Sequence, residues 1–260
     1  MVIPEKYNTK KEQYKWLTDN KRSIIQQKKS VVKHADGVMC IGIGGTSKAN
    51  VPTDATVINA ELAINTTLLF DSHDDVHMDG IWNQSLKQKG YTILNQEHKH
   101  SFADIISEGE NVKPSVKEYK WSQLGYKYEG STQALVYDAD IYKEDNPYMF
   151  GKYIKSKVRN HSVEMMYVKI EMGINDPDYK EEFAEWNKVY PLIANKEDVD
   201  EKGYFFSVYE AKHLGGAAVP HGSNFATPTI SISEPDKSTH NDQEPDKSTP
   251  QNNIILTLIN

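Results

Sequence analysis

Between Val38 and Ile230 short apolar runs alternate with clusters of Gly, Pro, Asn and Asp, and this punctuation is the strongest constraint on the fold. Runs this short, enriched in Val, Ile, Tyr and Phe and bounded by turn residues, suit strands better than helices. Strands are expected at Val38–Ile43, Ala63–Phe70, Gln133–Ile141, Val163–Met172, Tyr204–Tyr209 and Ala217–Val219. Helices are expected at Gly80–Gln88, Asn146–Val158 and Pro177–Ile193. The last opens on Asp176-Pro177, carries acidic residues in its first turns, and places Phe183, Trp186, Val189 and Tyr190 on one face. The expected class is α+β, a β-core with helices packed around it.

The flanks have a different texture. Residues 4–35 are lysine-rich with few breakers, and Tyr14, Leu17, Ile24, Ile25, Val31 and Val32 recur at roughly helical spacing before Asp36-Gly37. That predicts an amphipathic helical arm over residues 1–36, its thin apolar stripe packed on the parent domain. Too few apolar anchors are present for a membrane-surface helix. At the other end Ser233–Gln251 has no aromatic residue and repeats Glu-Pro-Asp-Lys-Ser-Thr at 234–239 and 244–249. Such composition predicts a disordered, low-complexity tail over 231–260, which leaves 37–230 as the globular domain.

Composition narrows the function classes. A net charge of −7 with 26% charged residues describes a soluble, mildly acidic chain rather than a dedicated nucleic-acid binder. Cys40 is the only cysteine, so no intrachain disulfide forms, as is usual in a reducing compartment. No apolar run approaches the ~20 residues that span a bilayer, and the first residues lack the apolar core of a signal peptide.

Several residue groups invite chemical readings. Cys40-Ile-Gly-Ile-Gly-Gly-Thr-Ser-Lys48 follows a strand-like run, but it has neither the phosphate-loop spacing nor the third glycine of a dinucleotide fingerprint, and reads as a loop. His73 and His77 stand four apart, near Asp71, Asp74, Asp75, Asp79 and His98. Zinc ligands on a helix use that spacing, yet Asp74-Asp75 and Asp79-Gly80 read as turns, and no metal or other cofactor is expected. Met165, Met166 and Met172 read as core packing. A serine nucleophile needs a base within reach and a partner that orients the base. On spacing alone, Ser162 and His98 are an ordinary serine and histidine.

Order along the chain adds to this. Leu68–Phe70 reads as a strand, Asp74–Gly80 as an Asp-rich turn and Ile81–Leu86 as a helix start; Ile93-Leu94 then leads to His98. Lys152–Arg159 precedes Asn160-His161-Ser162-Val163, and Ser207-Val-Tyr-Glu210-Ala-Lys-His213 precedes Val219-Pro-His-Gly-Ser-Asn224. Over about residues 60–230 this series resembles the prohead (head-maturation) serine proteases of tailed phages, relatives of the herpesvirus assembly protease. Departures are Lys99 where the family usually has Asp, Glu164 where it has Gly, and residues 173–203, which look like an insertion.

The resemblance implies a β-barrel-like core ringed by helices and a serine endopeptidase with Ser162 as nucleophile and His98 as base. His100 is the alternative base. Glu210 is the expected third member and His213 the reserve; on a regular strand these two point to opposite faces. Arg159 is the nearest side-chain candidate for the oxyanion. Implied substrates are scaffold protein, the major capsid protein and the chain itself. The implied setting is the assembling procapsid in the host cytoplasm, as a homodimer or packaged with scaffold, without a membrane or direct nucleic-acid partner. The alternative is a catalytically inactive protease-like or scaffold-type capsid assembly protein.

Overall fold

A computed structural model describes residues 7–33, 51–52, 54–88 and 90–235. In chain order its strands are β1 (Val57–Thr66), β2 (Asp75–His77), β3 (Ile93–Gln96), β4 (Ile105–Glu108), β5 (Val112–Lys120), β6 (Ser131–Tyr142), β7 (Asn160–Ile174), β8 (Tyr204–Val219) and β9 (Thr229–Ser233). Its α-helices are α1 (Lys10–Ser30), α2 (Pro147–Ile154), α3 (Lys180–Val189) and α4 (Lys196–Lys202). The expected strand at Val38–Ile43, the glycine-rich stretch to Lys48 and most of the tail lie outside the described residues.

The α+β class holds, but the expected barrel does not form. The strands make two sheets, one ordered β5-β6-β1-β9 and one in which β7 pairs one side of β8 while β2 and β3 share its other side and β4 follows β3. No ladder joins the two sheets among the described residues, so the continuous hydrogen bonding that closes a barrel is missing. They bury one core between them, drawing Ile58, Leu62, Leu135 and Tyr137 from the first sheet and Val163, Met165, Phe206 and Val208 from the second. Gly216 of β8 sits at the closest approach: a Cβ there would stand 2.8 Å from the Tyr137 ring and 3.1 Å from Ile64.

Several elements differ from the sequence-based expectation. Gly80–Gln88 is a series of turns ending in one 3-10 turn at Ser85–Lys87, since Gly80 at φ +81° sits outside helical space. Asn146–Val158 shortens to α2, whose cap is the Asn146 side chain accepting from the Met149 N–H at 3.0 Å. Residues 173–203, expected as an insertion, hold the end of β7, then α3, a 3-10 turn and α4, and they connect β7 to β8. The sheet runs past the boundary expected at 230, because β9 continues to Ser233.

The N-terminal arm packs on its own domain. Thr9 caps α1 by accepting from the Glu12 N–H, while Lys28 and Lys29 oppose the dipole in the last turn. Tyr14, Leu17 and Ile24 are buried, whereas Val31 and Val32 are exposed. Below the stripe the Lys28 ammonium enters the protein, bonds the carboxylate of fully buried Asp75 and donates to the His73 carbonyl. After the helix, Lys33 pairs with Met165 on the outer edge of β7. Among the described residues no helix is long and apolar enough to cross a membrane.

Removing one partner of a buried ion pair strands the other charge, which costs far more than losing a surface pair. Lys28→Ala is expected to lower the unfolding free energy by about 3–5 kcal/mol in urea. Lys15→Ala, which removes an exposed pair with Asp19, is expected to change it by less than about 1 kcal/mol. Equal effects would show that the arm is not anchored through Asp75.

Candidate active site

The register of the second sheet assembles the site. Ser162 lies opposite Ala217 and Glu164 opposite Gly215 on β8, while Asn95 of β3 lies on the other side of Ala217. Residues paired directly across strands share a face, as do residues two apart on one strand. Ser162, Glu164 and Asn95 therefore project from one face, over a floor of Gly215 and Ala217.

That floor lets a carboxylate cross β8. A Cβ on Gly215 would meet Glu164 Oε2 at 3.4 Å. Glu164 Oε1 accepts from Asn95 Nδ2 at 2.9 Å and from His98 Nδ1 at 2.9 Å, and His100 Nε2 approaches it at 3.6 Å. Burial pushes the Glu164 carboxyl up, but the hydrogen bonds from His98 and Asn95 outweigh it and hold the group below the usual carboxylate range. His98 is brought there by two successive left-handed residues after β3, Glu97 at φ +55° and His98 at φ +57°. That conformation costs ~1–2 kcal/mol for each residue bearing a Cβ, and it persists only where the surroundings enforce it.

The expected site residues are thus partly brought together. His98 and Ser162 share one face of the sheet, Ser162 about 7 Å along β7 from the residue that holds the imidazole. No hydrogen bond joins Ser162 to His98 among the described residues. Of the two imidazoles near Glu164, that of His98 is buried and that of His100 is mostly exposed.

Glu210 is not at this site. It pairs with Lys169, seven residues along β8 from Ala217 and so about 23 Å away. The reserve, His213, has its Nε2 bonded to the Tyr137 hydroxyl. The carboxylate that meets the imidazole is Glu164, which stands where the family has glycine. Its signal in the sequence was the Ser-x-Glu spacing, which on a strand places both side chains on one face. Arg159 immediately precedes β7, at the end of the irregular stretch that follows α2.

A second buried network adjoins the first. His77 is held on one side by Asn65, whose Nδ2 stands 2.8 Å from Nδ1, and on the other by the Tyr167 hydroxyl at 3.2 Å from Nε2. Tyr167 donates in turn to Asp75 at 2.7 Å. Burial raises Asp75, but Lys28 and Lys33 outweigh it and leave the carboxyl below its ordinary value. Burial and the neighbouring Asp75 charge push Asp71 up to about 6. Asp71, His73 and Asp75 bring ligand atoms within 4.8 Å of one another, with the Lys28 ammonium seated on Asp75. His98 belongs to the other network, so the His73, His77 and His98 set considered from spacing is not assembled. A narrow cleft with room for about one water, about 10 Å³, opens beside the second network and is lined by Ser162, Val163, Asn65 and His77 among others.

Comparison with protein-family models, with curated proteins and with solved structures gave no match.

Burial pushes His77, His161 and His213 each down to about 4. Between pH 6.5 and 4 the unfolded chain binds protons at these positions and the folded chain does not, so stability falls as pH falls. Asp71, raised to about 6, works in the opposite direction but is one group against three. A net loss on the order of several kcal/mol across this window is expected from urea unfolding at stepped pH. A flat profile would contradict the buried, neutral imidazoles.

Proposed function

We propose that this chain is a serine endopeptidase of the prohead-maturation type, cutting scaffold and capsid-protein segments, and its own tail, inside an assembling procapsid in the host cytoplasm. The observation that carries the reading is the buried carboxylate–imidazole pair of Glu164 and His98, on the same sheet face as Ser162. An ionised carboxylate only accepts, so His98 Nδ1 carries the proton and Nε2 is left as the basic nitrogen. In the proposed reaction Nε2 takes the Ser162 proton as Oγ attacks the peptide carbonyl, and returns it to the leaving amine. The imidazolium formed between these steps is stabilised by Glu164. Contact between Ser162 and His98 tightens when substrate is bound, as catalytic hydrogen bonds in empty sites often do.

One observation favours a second reading, a protease-like assembly protein without catalysis: Ser162 is only 6% exposed and makes no bond to His98. Intact mass separates the two. The active protein is expected to lose part of Ser233–Gln251, while Ser162→Ala and His98→Ala keep it. Identical masses in all three would support the inactive reading.

The third member is tested separately. Glu164→Gln is expected to slow cleavage by about 10²–10⁴-fold through loss of the oriented imidazole, and Glu210→Gln is expected to leave it near wild type. The reverse order would return the role to Glu210.

A further inference from the structure

Glu164 Oε1 is the meeting point of three side chains. His98 Nδ1 stands 2.9 Å from it, Asn95 Nδ2 2.9 Å and His100 Nε2 3.6 Å. Ligand atoms around a tetrahedral zinc ion lie about 3.3 Å apart, and the two imidazole distances bracket that spacing. Two imidazoles and one carboxylate are also a donor set that such ions take. Glu164 and the His98 ring are buried whereas His100 is mostly exposed, so the group opens to solvent on the His100 side.

Two further observations single this group out. An ionised carboxylate only accepts, so Asn95 faces Glu164 with Nδ2, and its other polar atom is the carbonyl oxygen. Asn95 is 1% exposed, and among the described residues its Oδ1 is buried without a partner. A buried acceptor with nothing to accept from is costly, and a cation beside the carboxylate offsets that cost. The second observation is that Lys99, between the two histidines, is turned to Glu97 at 2.9 Å. The Asp71, His73 and Asp75 group differs on this point, since the Lys28 ammonium already holds Asp75.

We infer that Glu164, His98 and His100 bind a divalent ion of the zinc type, and that the bound ion switches the site off. The three ligand atoms are less tightly gathered than those of Asp71, His73 and Asp75. Binding therefore draws His100 inward, by rotation of an exposed side chain, towards a carboxylate that Asn95 holds in place. The ion takes the lone pair of His98 Nδ1, and the proton of that nitrogen moves to Nε2. The ring stays neutral, but Nε2 now carries a proton and cannot take another from Ser162. Binding stands on the geometry alone; the inhibition rests on the protease reading and extends it to how the site is kept inactive.

The test titrates zinc chloride into the full chain by calorimetry, with nitrogen-15 NMR of the His98 ring and fluorophosphonate labelling of Ser162 as further readouts. Zinc is expected to shift His98 to the Nε2–H tautomer and to slow labelling in the wild type. His100→Ala, a change at an exposed residue, is expected to weaken binding by at least about tenfold, the least that loss of an outer-shell partner costs. Its labelling rate is expected to be the same with and without zinc at the concentration that slows the wild type. His73→Ala is expected to bind zinc as the wild type does. No binding by the wild type, binding that His100→Ala leaves unchanged, or an Nδ1–H tautomer in the zinc-bound protein would overturn the inference. Binding lost in His100→Ala, with wild-type labelling indifferent to zinc, would overturn the inhibition and keep the ion site. Binding lost in His100→Ala, in a wild type that is not labelled even without zinc, would keep the ion site and sink the protease reading.

Discussion

The long antiparallel ladder between β7 and β8 is the constraint on which the rest of the structure depends. Its register sets Ser162 against Ala217 and Glu164 against Gly215. A slip of one residue would turn both polar side chains to the opposite face, among Tyr137 and Ile64. The small residues of β8 then serve both faces at once. Gly216 admits the Tyr137 ring on the core side, and Gly215 leaves a passage for the Glu164 carboxylate on the other. Carboxylate, amide and imidazole meet across a strand that contributes no side chain at the crossing point.

The arm reaches the same region from another direction. Lys28 seats on Asp75, Asp75 accepts from Tyr167, Tyr167 meets His77, and His77 meets Asn65 at the cleft. In a polar chain this deeply buried, breaking one link strands the next. Helix α1 is therefore part of the domain's electrostatic closure. The lysine-rich arm spends Tyr14, Leu17 and Ile24 and the ammonium groups of Lys10, Lys11, Lys21 and Lys28 on its own chain.

Much of this was legible from pattern. The apolar runs around Gln133–Ile141, Val163–Met172 and Tyr204–Tyr209 fall within β6, β7 and β8, and the helices at Asn146 and after Pro177 exist in shortened form. The strands that pattern missed have a physical reason to be obscure. β2 is three residues long, and β5 is half-exposed and carries three lysines and a proline. A run of polar turns at Gly80–Gln88 imitates a helix until one glycine takes a positive φ. The barrel and Glu210 came from resemblance, and both depend on strand pairing, which sequence does not display. The β7–β8 ladder shifts register at three places, so counting along the strands could not place Glu210 relative to Ser162. Glu164 stands in plain view two residues from the serine, but the resemblance points away from it because the family has glycine at that position.

The most direct measurement of the central claim is nitrogen-15 NMR of the His98 ring, at a pH where imidazoles are neutral, in wild-type protein and in Glu164→Gln. A carboxylate held against Nδ1 predicts the Nδ1–H tautomer, with a strongly downfield proton that moves upfield when Glu164 becomes an amide. An Nε2–H tautomer, or a spectrum that the substitution leaves unchanged, would mean that Glu164 does not orient His98 and that the site is not a proton relay to Ser162.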